Sequence, residues 1–202
     1  HDQSKGLNFI DTKELDKIKK IGKIGRGAMA KVIKVAREEY YAMKIIDIEF
    51  CQKDTNTDDA DDDNFNIDFE KIKRFFQEYE IMNNLNHPNI IKTFGFCFGD
   101  SKHKPSILLE FCPFNLKKCI KTLNDNQRIA VIIEISDAMK HVHKAGIIHR
   151  DLKLENILLD AEMHVKLSDF GISTLIKLES ESMNRTQMSG TLPFMAPELI
   201  LG

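Results

Sequence analysis

The stretch His149-Arg150-Asp151-Leu152-Lys153-Leu154-Glu155-Asn156, followed by Ser168-Asp169-Phe170-Gly171, gathers two aspartates, a carboxamide and a lysine into one short region. Phosphoryl transfer calls for such a set. It needs oxygen ligands for the divalent cations that neutralise the β- and γ-phosphates, an acceptor that orients a hydroxyl, and a cation on the transferring group. Asp169 with Asn156, then Asp151, then Lys153 supply these in turn. The same residues also suit plain polar loops between the short β-forming runs 157–159 and 165–167, so the cluster alone leaves both meanings open. Two weaker signals lie upstream. Gly25-Arg26-Gly27 sits between two strand patterns, where glycines let backbone N–H groups approach a phosphate, although an ordinary hairpin turn reads the same way. Lys44, on one strand face with Ala42 and Ile46, either snorkels at an edge or pairs with an anion.

These residues need elements to position them. From Ile18 an alternating pattern broken by glycines, then Val32, Ile33 and Val35, then the apolar run 40–46, predicts a strand, a turn and two further strands. A helical period over about 68–86 places Phe75, Met82 and Leu85 on one stripe, and His87-Pro88-Asn89 stops it. Glu78 interrupts that stripe; an inward carboxylate needs a cation, and Lys44 is the candidate. Further strands are predicted around 90–98 and 106–111. A second helix follows, capped by Asn124 or Asp125, with Ile132, Ile135, Met139 and Val142 as its apolar face and Gly146 at its end. Strands with one helix, then helices with short hairpins, predict a sheet-rich lobe joined to a helical one near Cys112.

Composition narrows the setting. The 202 residues are 42% hydrophobic and 30% charged with formal net charge -2, enough apolar content for a core and no general basic face for nucleic acid. Cys51, Cys97, Cys112 and Cys119 form no C-x-x-C pair, which fits a reducing compartment. His141 and His143 sit two apart on the predicted helix and share no face, so no metal pair is expected there. Apolar runs such as 129–135 fall short of the ~20 residues that span a bilayer. We therefore expect an intracellular protein, cytoplasmic or nuclear, with no membrane span. The segment holding Asp54, Asp58, Asp59, Asp61, Asp62 and Asp63 reads as a solvated, disordered insertion over about 51–66, with no calcium-loop spacing. His1 in place of Met, and an end at Leu201-Gly202 just after a helix start, read as a chain cut at both ends.

Taken together, the motifs resemble the eukaryotic protein kinases. Gly25-x-Gly27-x-x-Ala30-x-Val32 is similar to the glycine-rich loop, Tyr41-Ala42-Met43-Lys44 to the strand with the phosphate-pairing lysine, and Glu78 to its helix partner. Leu109-Glu110-Phe111-Cys112 resembles the segment whose backbone binds adenine, through the Glu110 carbonyl and Cys112 amide. His149-Arg150-Asp151 with Asn156 resembles the catalytic loop, Asp169-Phe170-Gly171 the magnesium motif, and Ala196-Pro197-Glu198 the end of the activation segment. The ordered match runs from about Ile18 to Glu198.

The resemblance implies an α+β, two-lobed fold. Residues 1–17 would be a leader and 18–111 an N-lobe of antiparallel sheet with one main helix. Residues 112–202 would form an incomplete, mainly helical C-lobe. It implies ATP and Mg²⁺ as cofactors, Asp151, Lys153, Lys44 and Glu78 as catalytic residues, and Asn156 and Asp169 as metal ligands. The implied nucleotide set is Ile24, Gly25, Arg26, Gly27, Ala28, Val32, Ala42, Lys44, Leu109, Glu110, Cys112 and Leu158. His149 is a packing residue in this reading, and Cys112 an ordinary residue of the adenine segment. Lys153 two residues after Asp151, and Thr191 seven before Glu198, resemble kinases with serine or threonine acceptors on protein substrates. Gln187 stands where many relatives carry an activating phosphothreonine. Thr186 is therefore the leading regulatory site for an upstream kinase, with Arg150 as phosphate receptor and Ser180, Ser182 and Ser189 as lesser candidates.

Ala30 for the third loop glycine costs little, whereas Thr93, where relatives place a large apolar residue stacking with Met82, Phe170 and His149, weakens packing. The helices that follow Glu198 in relatives are not among the 202 residues; were these the whole polypeptide, the helix holding Ile132 and Met139 would expose an apolar face, and a fragment of a longer product is the favoured expectation. Two function classes follow: a protein serine/threonine kinase, and a catalytically incomplete nucleotide- or partner-binding module. A small-molecule kinase is the weaker third, because Gly190-Thr191 before Ala196-Pro197-Glu198 resembles a protein-substrate platform.

Overall fold

A computed structural model describes residues 8–27, 30–37, 39–47, 69–171 and 173–175. The acidic insertion, Ala28, Cys51, Thr186 with the neighbouring serines, Thr191 and Ala196-Pro197-Glu198 lie outside the described residues. The chain divides into two units. One comprises Asn8–Gln77 and Phe94–Leu109; the other comprises Glu78–Thr93 and the chain from Glu110 onward. The sequence places the division at 111/112, whereas residues 78–93 join the carboxy-terminal unit.

In the first unit, strands β1 (Lys19–Arg26), β2 (Ala30–Ala36) and β3 (Tyr40–Ile46) form an antiparallel meander. β4 (Thr93–Cys97) and β5 (Ser106–Glu110) complete a five-stranded sheet of order β1-β2-β3-β5-β4. Alternation turns Val35 and Met43 inward, onto a core shared with Cys97 and Leu15. Leu15 lies on α1 (Thr12–Asp16), whose N-cap Asp11 accepts a 2.9 Å hydrogen bond from the Lys13 amide. Residues 8–17 are therefore part of this unit and not a leader. Their mixed composition hid Leu15 and Ile10, because one short turn and an isolated bridge are too brief to show a period.

Helix α2 (Phe69–Asn84) buries Phe75, Glu78, Tyr79, Met82 and Asn83, a stripe at helical spacing. Leu85, just past its end, is also buried, and His87 and Asn89 then fasten the following loop to the second unit's long helix. That helix, α4 (Asp125–Lys144), comes after β6 (Phe114–Asn115) and the short α3 (Leu116–Cys119). A capping box starts it: the Gln127 amide donates to Asn124 Oδ1 at 2.9 Å and the Asn124 amide to Gln127 Oε1 at 3.0 Å. Gly146 ends it at φ 72°, beyond Ala145.

The buried face of α4 runs through Val131, Ala138 and Val142, with Ile135 and Met139 half-buried, while Ile129, Ile132 and Ile133 are exposed. The predicted face named Ile132, and that part is corrected. Apolar residues flank both sides of the helix here, so two stripes of equal period compete and only packing selects one. His87 Nε2 lies 3.2 Å from Asp137 Oδ2 on this helix. Glu134 accepts the Val165 amide at 2.6 Å and the Asn89 carboxamide at 3.3 Å. Beyond α4, β7 (Ile147–Ile148) pairs with β10 (Thr174–Leu175), and β8 (Ile157–Leu159) joins β6 and β9 (Val165–Leu167) in the order β6-β8-β9. The last two runs coincide with the β-forming runs of the sequence. No helix among the described residues is long and apolar enough to cross a membrane.

Candidate active site

The first unit brings Gly25, Val32 and Lys44 into one row. Val32 is the register partner of Gly25 on one side and of Lys44 on the other. Neighbours in such a row share a sheet face, and Ala42, two residues from Lys44 along β3, shares it too. Ile24 is exposed on β1, and the Gly27 amide donates to the Ala30 carbonyl at 2.8 Å, closing the turn. Arg26 turns its guanidinium to Asp47, which holds that carboxyl below its ordinary value, so any role in binding falls to the Arg26 backbone. Leu109 is buried on β5.

The second unit holds the denser constellation. Asp151 Oδ2 receives Lys153 Nζ at 2.6 Å and Asn156 Nδ2 at 2.9 Å, and the same Asn156 Nδ2 lies 2.8 Å from the Asp151 carbonyl. Asn156, on the 3-10 turn Leu154–Asn156, is 6% exposed. Its carbonyl accepts both the Ser168 amide and the Ser168 hydroxyl at 2.9 Å, which moors the residue before Asp169 to the loop carrying Asp151. Lys117 and Asn115 brace the loop from below: Lys117 Nζ pairs with Glu155 Oε1 at 2.5 Å and Asn115 Nδ2 donates to the Glu155 carbonyl at 2.7 Å. Arg150 and Asp169 have φ of 66° and 64°, a conformation L-residues rarely adopt, held here by those bonds on either side.

His149 is buried, and burial pushes its pKa down. The Asp151 amide donates to Nδ1 at 3.3 Å, which leaves Nε2 to donate to the Ser168 carbonyl at 3.2 Å. The ring is thus a neutral tautomer spent on backbone, tilted at 56° against Phe170 with centroids 4.7 Å apart, and packs rather than acts as a base. Glu78, 4% exposed, stands beside the magnesium-type motif. A methyl group built on Gly171 would lie 3.4 Å from both Glu78 Oε2 and Asp169 Oδ1, which places the two carboxylates beside this glycine. Lys44 and Glu78 fall in different units, and their pairing belongs to the proposal below.

Glu110 carries a side chain whose role sequence reasoning missed. Its Oε1 accepts the Lys92 amide at 2.7 Å, and its Oε2 lies 3.3 Å from Lys166 Nζ on β9. Lys166 follows the alternation of a short strand, and nothing in its spacing points to Glu110. Leu158, half-buried on β8, is the register partner of Lys166. The Cys112 thiol is pushed up to about 12, by burial first and by the Glu110 charge second, so it is an inert packing group at neutral pH. Thr93 is half-buried with its hydroxyl 3.5 Å from Asn83 Oδ1. Beside it a pocket of about 220 Å³ opens among Met82, Asn83, Lys92 and Lys166.

Residues 18–202 match the protein kinase domain family. Human hormonally up-regulated neu tumor-associated kinase is 31% identical over 185 residues, covering 88% of this chain and 24% of that protein. Drosophila melanogaster serine/threonine-protein kinase polo is 31% identical over 199 residues, covering 95% of this chain and 31% of that protein. Mouse Aurora kinase B is 37% identical over 130 residues, covering 62% and 36%. The chain belongs to the protein kinase family, with its α+β fold of antiparallel sheet and helical region. It spans less than half the length of these relatives.

Proposed function

We propose that the chain carries the catalytic centre of a protein serine/threonine kinase, which transfers the γ-phosphate of ATP to hydroxyls of protein substrates. The observation that supports this most is the pair of contacts on Asp151. A carboxylate held between the Lys153 ammonium and the Asn156 carboxamide is fixed in place and remains an acceptor for a substrate hydroxyl. Lys153 is set to neutralise charge on the transferring group, and relatives bearing serine/threonine in their names favour that acceptor class here. Asn156 turns its amide nitrogen to Asp151, so its carboxamide oxygen is the group available, with the Asp169 carboxylate, for a hard cation. These donors fit Mg²⁺, which when bound would screen the phosphates' negative charge.

Lys44 pairing with Glu78 and with phosphate, the glycine-rich backbone from Ile24 to Ala28, Val32 and Ala42 around the base, and Leu109, Glu110, Cys112 and Leu158 at the adenine are roles carried over from the family residue by residue. Phosphate on Thr186, placed by an upstream kinase and received by Arg150, is the regulatory part of the proposal. A protein that consumes ATP works where ATP is supplied, and we infer the cytoplasm or nucleus.

The test is transfer of labelled γ-phosphate to a serine/threonine peptide mixture with Mg²⁺, beside Asp151→Asn. We expect transfer that the variant abolishes while ATP still raises the melting temperature of both proteins. Transfer retained in the variant would defeat the assignment of Asp151. A rise in melting temperature with no transfer by the unaltered chain would replace an enzyme with a nucleotide-binding module.

A further inference from the structure

We propose that residues 8–16 form a built-in strap that sets the position of α2, with Phe9 as the positioning residue. The catalytic consequence rests on the function proposed above. Phe9 bridges in parallel to Phe96 at the outer edge of β4. The Ile10 amide donates to the Phe96 carbonyl at 2.8 Å and the Phe96 amide to the Asn8 carbonyl at 2.9 Å, so the segment adds a short strand to an edge that would otherwise lie open. The Phe9 ring then stacks on Phe98 at 5.4 Å and on Phe76 of α2 at 6.3 Å. Phe76 itself meets Phe96 at 5.1 Å and Phe98 at 5.6 Å. The strap, the sheet edge and the helix thus share one aromatic cluster.

Two further observations show a seat shaped for this segment. Gly95, on β4, lies against it so closely that a methyl group there would meet Ile10 Cγ1 at 2.7 Å and the Asn8 carbonyl at 3.1 Å. Downstream, the segment is tied to the same unit again, by Leu15 in the core and by Asp16 Oδ1 at 3.1 Å from His103 Nε2. Phe76 precedes Glu78 by two residues on a continuous helix, so whatever locates Phe76 also locates Glu78. Phe9 and Phe98 are 55% and 56% exposed, so the outer side of the cluster is wet and the hold is of the size that one aromatic pair supplies. The occupant of this edge is the chain's own segment, and the device works by keeping it there.

The experiment compares the unaltered chain with Phe9→Ala, Phe9→Tyr and Gly95→Val, following amide hydrogen exchange and kinase kinetics. Phe9→Ala should speed exchange across α2 roughly tenfold, the equivalent of one aromatic pair, while α4 exchanges as before. It should lower kcat with little change in the KM for peptide. Gly95→Val should reproduce both effects without touching Phe9, and Phe9→Tyr, which keeps the ring, should restore them. Wild-type exchange in α2 for both disruptive variants would overturn the proposal, as would equal acceleration in α2 and α4, which is ordinary destabilisation. If the unaltered chain shows no Asp151-dependent transfer, the proposed function fails and the exchange comparison still decides the strap.

Discussion

Replacing Asn156 with alanine should cost folding stability before any nucleotide is involved. The side chain is 6% exposed and donates to the Asp151 carboxylate at 2.9 Å and to the Asp151 carbonyl at 2.8 Å. A hydrogen bond to a charged acceptor contributes about 1.5–3 kcal/mol and one to a neutral carbonyl about 0.5–1.5 kcal/mol, so we expect a loss of about 2–4 kcal/mol. For a domain of this size the urea dependence is about 2 kcal/mol per M, which turns that loss into a midpoint shift of about 1–2 M. The chain has no tryptophan, so far-UV circular dichroism is the signal of choice for urea titrations. Asp151→Asn is the control. Its amide oxygen can still accept from Lys153 and Asn156, and its midpoint should move far less than that of Asn156→Ala. A midpoint shift for Asn156→Ala no larger than the control's would refute the reasoning, because the carboxamide would then not be holding the loop.

Other outcomes follow from the same geometry. Cys112, its thiol pushed up to about 12, should resist alkylation at pH 7.5 in the folded chain and react once the chain is unfolded in urea, as read by intact and peptide mass. Asn124→Ala removes the Oδ1 acceptor of the Gln127 amide, leaving only the backbone bond from residue 124 to Gln127 Oε1, and should lower stability by about 1 kcal/mol in thermal unfolding, with Asn124→Asp close to neutral. Two histidines give opposite pH slopes. His149 has its pKa lowered by burial, so its contribution is present above its unfolded value near 6.5 and is lost as pH falls below it. His164 has its pKa raised by its hydrogen bond to Glu134, so its contribution is present below about 6.5 and is lost as pH rises through the folded value. His164→Gln should flatten only the alkaline side of a stability–pH profile, and a change on the acid side would contradict the assignment.

The residues proposed for catalysis were legible in the chain because they lie close together in sequence. Asp151, Lys153 and Asn156 stand within six consecutive residues, and the bonds of Lys153 and Asn156 to Asp151 are made within that one short stretch. The helical stripe through Glu78, the cap at Asn124, the glycine after α4 and the runs of β8 and β9 were legible for a similar reason, since each is a relation among residues a few positions apart. Tertiary structure decided what depends on distant partners. The row Gly25–Val32–Lys44 comes from strand register. The choice of Val131 over Ile132 as the buried side of α4 comes from which apolar face found neighbours. Glu110 meets Lys166 across 56 residues of chain, and Phe9 meets Phe76 and Phe98 through one added bridge. Such contacts leave no period in the sequence. Burial and hydrogen bonding reward them only after the chain has closed on itself, and that is why residues 8–17 read as part of a polar leader yet fold with the first unit.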